Sequence, residues 1–252
     1  MNKTDPGKWD WIVLIFCMTF PTLSAWLYFD IFNNTDLVPM LYGFSKVIQF
    51  AIPVIWVLWV RGEKLRPDSD SAPESQRKLS IGSCAGSGVL MGLCIVAALM
   101  ALYFGYFNGS VYLEEMPDRL GARLEDFQLT TTLKFIGMAL FLSLFHSFLE
   151  EYYWRWYVFG QLRKKGSFHL AAVVSGLGFM AHHVIIVNNF MKPEHFWFPT
   201  LFFSLCIAVG GYLWAWLYQR SQSLVGPWVS HLFVDLGIMA VGYHQIFIIS
   251  AE

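Results

Sequence analysis

Seven apolar runs recur along the chain, and each has at least the roughly 20 residues that an α-helix needs to cross a bilayer. They occupy residues 11–32, 37–60, 81–107, 130–162, 168–187, 196–218 and 224–249. A chain in the hydrocarbon layer has to satisfy its own backbone hydrogen bonds, which favours helices for runs of this length. The sequence therefore predicts an all-α, polytopic integral membrane bundle of about seven transmembrane helices.

The composition agrees with this fold class. Of the 252 residues, 56% are hydrophobic and only 14% are charged, which is too apolar for a soluble domain of this length. The net charge is -1 and the longest basic block is the short run at 163–165, so no nucleic acid is expected as a partner. The expected partners are the lipid bilayer and a membrane protein or peptide, and the sequence leaves the oligomeric state unknown.

The lysines and arginines outside the apolar runs are unevenly distributed. Most lie in segments that share one side with the N-terminus, whereas the opposite side holds only Arg119, Arg123 and Lys192. The positive-inside rule therefore predicts a cytoplasmic N-terminus and a C-terminus on the other side. Because the loops are short and no attached domain is visible, the expected location is the inner or plasma membrane of a bacterial cell.

We expect a single membrane domain in two parts, with N-terminal helices and loops in residues 1–130 and the catalytic helices in residues 131–252. The loop at 61–80 is polar and rich in Pro and Ser, which is typical of a flexible segment. The loop at 108–128 is acidic with scattered apolar residues, and we expect a short interfacial helix there.

Small residues in the spans predict packing rather than chemistry. In the third run, Gly82 and Gly86, and then Gly88 and Gly92, have the four-residue spacing that lets two helices approach closely. The four cysteines form no paired framework and are also predicted to serve packing: Cys17, Cys84, Cys94 and Cys206.

Ionisable side chains lie inside the predicted spans of the second half, where their cost makes a functional role the default hypothesis. Residues four apart share a face of a helix, which pairs Glu151 with Arg155 and His231 with Asp235. Glu150 points about 100° away from Glu151. We therefore expect Arg155 to hold Glu151 ionised, while Glu150 faces another cavity and is the better general base.

The candidate groups are predicted to lie at one depth inside the membrane. At about 1.5 Å per residue, they lie roughly 17 to 24 Å along their helices from nearby cytoplasmic residues: Glu150, His183, His231 and Asp235. A carboxylate and an imidazole can activate a water, and a second imidazole can stabilise the oxyanion of peptide hydrolysis. Glu150, His183 and His231 could equally hold a divalent metal such as zinc, so the metal question stays open.

The other histidines are predicted to make interhelical hydrogen bonds or to lie at interfaces: His146, His169, His195 and His244. His182 is adjacent to His183 but on another face of its helix, and we expect the same role for it.

Three motifs in this order resemble the CAAX-prenyl-protease and bacteriocin-processing family of intramembrane proteases, also called the Abi family. The EExxxR, FxxxH and HxxxN or HxxxD motifs correspond to Glu150-Glu151 with Arg155, Phe179 with His183, and His231 with Asp235. The resemblance covers residues 145–242. It implies that Glu150 activates water with His183 as its partner, that His231 and Asp235 stabilise the oxyanion, and that Glu151 and Arg155 support them.

The sequence departs from the family pattern at three positions. Asp235 stands where Asn is common, and an ionised Asp cannot donate a hydrogen bond to an oxyanion, so it would be protonated, orient His231 or bind a metal. Trp156 replaces a small glycine and is expected to narrow the substrate entrance. His182 adds an alternative ligand.

The leading hypothesis is an intramembrane endopeptidase, either of the glutamate type or a metalloprotease, that acts on membrane-associated or prenylated-type proteins or peptides. The alternative is a non-enzymatic bacteriocin self-immunity or membrane scaffold protein, in which the polar residues only pack helices. A transporter or proton relay could use the same buried acids and imidazoles, but the sequence shows no internal repeat that would favour it.

Overall fold

The computed structural model describes residues 7–32, 35–63 and 80–249. Its helices are α1 (Lys8–Ile31), α2 (Val38–Val60), α3 (Ile81–Phe107), α4 (Met116–Asp126), α5 (Thr132–Arg163), α6 (Phe168–Phe190), α7 (Pro193–Ser221) and α8 (Val225–Ile248). All except α4 are long and apolar enough to cross a membrane, and the described ranges contain no strand. The predicted all-α polytopic bundle of seven spans is confirmed.

The loop before α5 contains the short helix that its sequence predicts. This helix, α4, is held by Arg123, whose guanidinium donates hydrogen bonds to the side chain of Asn189 at 3.1 Å and to the carbonyl oxygen of Phe29 at 3.4 Å. These contacts tie α4 to the ends of α1 and α6. Most of the loop expected to be flexible, residues 64–79, lies outside the described residues.

Helices α3 and α8 approach closely at two glycines of α3. A Cβ at Gly88 would meet the backbone of Gly226 in α8, and a Cβ at Gly92 would lie 3.0 Å from a carbonyl oxygen of the same helix. The packing predicted for Gly82 and Gly86 is wrong, because a Cβ at either would have no described atom within 4 Å. Only the second glycine pair faces a neighbouring helix.

Two of the four cysteines are buried and two are exposed. Cys17 and Cys84 are buried, as expected for packing residues, whereas Cys94 and Cys206 are exposed on the outside of the bundle. The packing role predicted for the exposed pair is wrong, since a membrane protein can turn an apolar thiol towards lipid as easily as towards its core. All four thiols are free.

The bundle core is aromatic and lies against the acid-bearing part of α5. Buried rings and aliphatic side chains from five helices form it: Leu14, Cys17, Val57, Tyr153, Trp154, Tyr157, Val158, Phe179, Trp214 and Leu217. Such a core places α5 between α1, α6 and α7, with its polar residues directed into the protein.

Candidate active site

The two adjacent acids lie in a single α-helical turn of α5, Ser147–Glu151, between two π-helical segments. The segments are Leu142–His146 and Tyr152–Phe159. A π-helical turn uses i to i+5 hydrogen bonds, which widen the helix and change the face that the following residues present, and such turns are frequent at functional sites. Both carboxylates are buried here, with Glu150 4% exposed and Glu151 fully covered.

Glu151 is fixed from two sides. Arg155 donates from Nε to Glu151 Oε2 at 2.9 Å, as the four-residue spacing predicts, and both side chains are fully buried. Nδ1 of His231 donates to Glu151 Oε1 at 2.9 Å. The guanidinium of Arg155 also lies 5.1 and 5.4 Å from the ring centres of Phe179 and Trp214. Glu151 thereby connects α5 to α8 and is held in one orientation.

Glu150 lies among three histidines. Nε2 of His146 is 3.3 Å from Glu150 Oε1, Nε2 of His182 is 3.8 Å from the same oxygen, and Nε2 of His231 is 3.8 Å from Oε2. The three imidazoles come from α5, α6 and α8. The first contact is within hydrogen-bond range, whereas the other two are longer than a direct hydrogen bond.

The structure places the two adjacent histidines of α6 differently from the prediction. His182 is 2% exposed, stacks on Trp154 with ring centres 5.9 Å apart, and leaves both ring nitrogens without a hydrogen-bond partner in the described structure. The interhelical hydrogen bond expected for His182 is therefore not formed among the described residues, and its ring lies 3.8 Å from Glu150 instead. The side chains of adjacent helical residues diverge by about 100°, and the packing of α6 against α5 turns that of His182 towards Glu150.

His183 lies beside His182, with ring centres 4.1 Å apart. Its Nδ1 donates a hydrogen bond to the carbonyl oxygen of Phe179 at 2.8 Å, which leaves Nε2 as the acceptor nitrogen of a neutral ring. Within the described residues, His183 has no contact of 4.0 Å or less with a carboxylate. The structure thus places it next to the acid centre without bringing it into direct contact.

His231 and Asp235 meet across one turn of α8, as their spacing predicts. Nε2 of His231 lies 3.4 Å from Asp235 Oδ1, and its ring stacks on Trp214 with centres 4.2 Å apart. His231 therefore contacts three carboxylates, those of Glu150, Glu151 and Asp235. It is the residue that links the acid pair of α5 to α8.

His146 is a candidate site residue that the sequence interpretation missed, since it was assigned to an interhelical hydrogen bond or an interface. It precedes Glu150 by four residues, which is the same spacing that pairs Glu151 with Arg155, so its position could have been found from the sequence. The interhelical role is confirmed for two others. His169 hydrogen-bonds with Tyr212, and His244 hydrogen-bonds with Tyr103.

Two further expectations concern His195 and Trp156. The ring of His195 contacts Tyr112 with centres 5.0 Å apart, at the boundary between α7 and the loop before α4. Trp156, expected to narrow the substrate entrance, stacks on Tyr152 with ring centres 5.2 Å apart and packs against the aromatic core.

A metal ion would need three or more ligating side chains that face one point. Across residues 7–32, 35–63 and 80–249, no group of three or more His, Cys, Asp or Glu side chains is arranged to hold one. Glu150, His183 and His231, the predicted ligands, do not form such a group.

Comparison with known proteins relates this part of the chain to a class of enzyme. Residues 132–237 match a model of a family of membrane proteases, and this region begins with α5 and includes Glu150, His182, His231 and Asp235. The family is described as Type II CAAX prenyl endopeptidase Rce1-like, and an Rce1-like domain is found in this part of the chain. The match agrees with the resemblance to CAAX-prenyl proteases that the three motifs carry. No curated protein and no solved structure gives a significant match.

Proposed function

We propose that the protein is an intramembrane endopeptidase of the glutamate type, in which Glu150 activates the water that attacks a peptide bond. The observation that carries this proposal is a buried carboxylate in contact with three imidazoles inside a membrane-spanning helix. Ionisable groups at this depth are costly, and their convergence from three helices favours chemistry over packing. The Rce1-like family supports protease activity in general.

In the proposed reaction, Glu150 accepts a proton from water while the water oxygen bonds to the peptide carbonyl carbon. The carbonyl oxygen becomes an oxyanion, which an N–H of His231 stabilises. The carbon–nitrogen bond then breaks, and the proton held by Glu150 passes to the leaving amine. The 3.8 Å separations of Glu150 from His182 and His231 match groups that share one water or one reacting atom.

Glu151 and Arg155 are proposed as supporting residues that hold His231 in place. Asp235 was expected to be protonated, to orient His231 or to bind a metal, and its 3.4 Å contact with Nε2 of His231 supports the orienting role. For the partner of Glu150, the motif favours His183 and the contact distance favours His182. We propose that both imidazoles border the reacting water.

The proposed substrates are membrane-associated proteins or peptides, including prenylated ones, because the acid pair lies inside a membrane-spanning helix. The proposed location is a bacterial inner or plasma membrane with the N-terminus in the cytoplasm, which the distribution of lysines and arginines supports.

Co-expression tests the function directly. Membrane peptides from cells that express the wild type or Glu150→Ala are compared by mass spectrometry, with candidate substrates from neighbouring genes co-expressed. New cleavage products are expected with the wild type alone. Identical products from both proteins, with both folded in the membrane, would overturn the proposal and favour the scaffold or immunity role.

Chelation tests the type of catalysis. Purified protein treated with a strong chelator is expected to keep its cleavage rate, because the proposed step uses only protein groups. Elemental analysis of the same sample provides a second readout. Loss of cleavage that added zinc restores would show that the enzyme is a metalloprotease.

A further inference from the structure

A lysine of α2 lies at membrane depth beside the acid-bearing helix. Lys46 is about 12 Å along the helix axis from the start of its span at Val38. Its ammonium donates one hydrogen bond to Oε1 of Gln49 at 3.2 Å, and it lies 5.7 and 5.8 Å from the ring centres of Tyr42 and Phe50. In the described part of the chain, Lys46 forms no ion pair of 4.0 Å or less.

Two neighbouring side chains therefore have donor groups without acceptors. An ammonium has three N–H donors, and the described contacts of Lys46 use only one of them. Gln49 is 1% exposed, and its Nε2 has no hydrogen-bond partner in the described structure. A buried amide without an acceptor and a cation without a direct counter-ion both destabilise the protein, and a bound anion would satisfy both.

The donor pair lies next to the proposed catalytic centre. One turn after Lys46, the ring of Phe50 contacts the rings of His146 and Tyr153, each with centres 6.0 Å apart. The carbonyl oxygen of Phe50 accepts a hydrogen bond from Tyr152 at 3.3 Å, which fixes this turn of α2 against α5.

The same turn of α2 also borders the outside of the bundle. Phe44 and Val47 are both 67% exposed and lie on either side of Lys46 in the sequence. Because α2 is a membrane span, these side chains face lipid. The turn of α2 that carries Lys46 therefore borders both the lipid-facing surface and the helix that carries Glu150.

We propose that Lys46 and Gln49 form an anion-binding subsite that holds a carboxylate of the peptide substrate near the bond attacked at Glu150. The carboxylate is either the C-terminus of the peptide or an Asp or Glu side chain. A lipid phosphate offers the same anionic oxygens but lies at the membrane surface, whereas Lys46 is about 12 Å inside its span. The inference rests on the proposed endopeptidase function and names the substrate chemistry of that site.

Matched peptides test the subsite. The probe is a farnesylated cysteine peptide with three apolar residues after the cysteine, made as the free acid, as the C-terminal amide, and as the amide with Glu as its last residue. Full-length protein in nanodiscs is expected to cleave one or both carboxylate forms with a kcat/KM about tenfold above that of the neutral amide, as a charge-assisted hydrogen bond predicts.

Substitutions then assign the preference to this subsite. Lys46→Met and Gln49→Leu are expected to raise KM for the carboxylate forms until they resemble the neutral amide, and Lys46→Arg is expected to keep most of the preference. Lys134→Met is the matched control, since Lys134 lies at the start of α5 and donates to the carbonyl oxygen of Gln128. It should leave the preference unchanged.

Three outcomes would overturn the subsite. In the first, Lys46→Met slows all three peptides equally, which would make Lys46 only a counter-charge for Glu150. In the second, the wild type cleaves the peptides in nanodiscs of phosphatidylglycerol but not in nanodiscs of phosphatidylcholine, and Lys46→Met shows no such lipid dependence. A lipid phosphate would then be the ligand. In the third, the wild type cleaves the carboxylate forms and the neutral amide equally.

Binding separates the subsite from the catalytic proposal. Fluorescence anisotropy measures the affinity of the same peptides for Glu150→Gln and for the double variant with Lys46→Met. Carboxylate-selective binding that needs Lys46, without cleavage by the wild type, would support the subsite and contradict the endopeptidase. Absent or unselective binding would contradict the subsite, whatever the cleavage assay shows.

Discussion

The pattern Glu-Glu-x-x-x-Arg occurs twice in this chain, once where α4 begins and once inside α5. In both copies the second acid pairs with the arginine four residues later. Arg119 lies 2.9 Å from Glu115, and Arg155 lies 2.9 Å from Glu151. Helical spacing alone accounts for both ion pairs. The two copies differ in what surrounds them.

The first acid of each copy has a different set of neighbours. Glu114 is exposed and accepts a hydrogen bond from Lys192 at 2.8 Å, outside the membrane spans. Glu150 is buried among imidazoles supplied by α5, α6 and α8. A motif of this length therefore specifies a local ion pair. A chemical site arises only where other helices add titratable groups and exclude water.

The exposed copy behaves as an ordinary solvated network. The hydrogen bond from Arg119 lowers the pKa of Glu115 below its usual 4.5, and Lys192 adds to this effect. The hydrogen bond to Glu114 raises the pKa of Lys192 above its usual 10.5. The Glu115 contribution to stability is thus present above pH 4.5 and is lost as the pH falls through the lowered pKa. That of Lys192 is present below pH 10.5 and is lost as the pH rises through the raised pKa.

The largest expected difference between the copies is in catalysis. Glu150→Gln is expected to lower the cleavage rate of a membrane peptide by about 10³-fold, because general acid–base catalysis contributes 10²–10⁴-fold. Glu114→Gln, the matched change in the exposed copy, should leave the rate at the wild-type value. A functional Glu150→Gln enzyme would mean that the buried carboxylate does not activate the water.

The next difference concerns stability. Arg155→Ala removes the partner of a fully buried carboxylate and is expected to lower the free energy of unfolding by about 3–5 kcal/mol. Arg119→Ala should have a much smaller effect, since both partners there are in contact with solvent. Unfolding in mixed detergent micelles measures both variants. Equal losses would show that burial does not separate the two pairs.

The histidines around the buried copy provide a third test. His182→Ala and His183→Ala are each expected to slow cleavage by about 10²-fold, if both rings border the reacting water. His169→Ala, which removes the hydrogen bond with Tyr212, is the control on the same helix and should keep a near-normal rate. Full activity of His182→Ala would leave the motif histidine as the sole partner of Glu150.

The smallest expected effect lies in the exposed copy. Glu115→Gln should lower the melting temperature slightly at pH 7. The difference from the wild type should shrink as the pH falls from 4.5 through the lowered pKa of Glu115, because the carboxylate is then protonated in the folded protein as well. High salt should also reduce this difference in melting temperature, because salt screens the exposed ion pair of Glu115 and Arg119. A difference that persists at pH 2 would indicate that packing, and not charge, is responsible.

Periodicity predicted the parts of this structure that depend on one helix at a time. The seven spans follow from the lengths of the apolar runs. The pairing of Glu151 with Arg155 and that of His231 with Asp235 follow from 3.6 residues per turn. The motifs then predicted the family. These features need no knowledge of how one helix is rotated against another.

The contacts between helices were harder to predict. The approach of His182 to Glu150 depends on how α6 packs on α5, and the position of Lys46 depends on α2, which lies outside the matched domain. The π-helical segments on both sides of the acids also alter the rotation of α5, so ideal helical geometry misplaces side chains there. The spacing of residues along one helix does not show how that helix is rotated or packed against its neighbours.

The glycine contacts between α3 and α8 have a consequence for the choice of lipid. Because backbone meets backbone at Gly88 and Gly226, neither helix can slide along the other without a steric clash. A bilayer with shorter acyl chains would therefore tilt the two helices together instead of shifting their relative height. The height of His231 relative to α3 should then be set by the packing of the two helices and change little with membrane thickness.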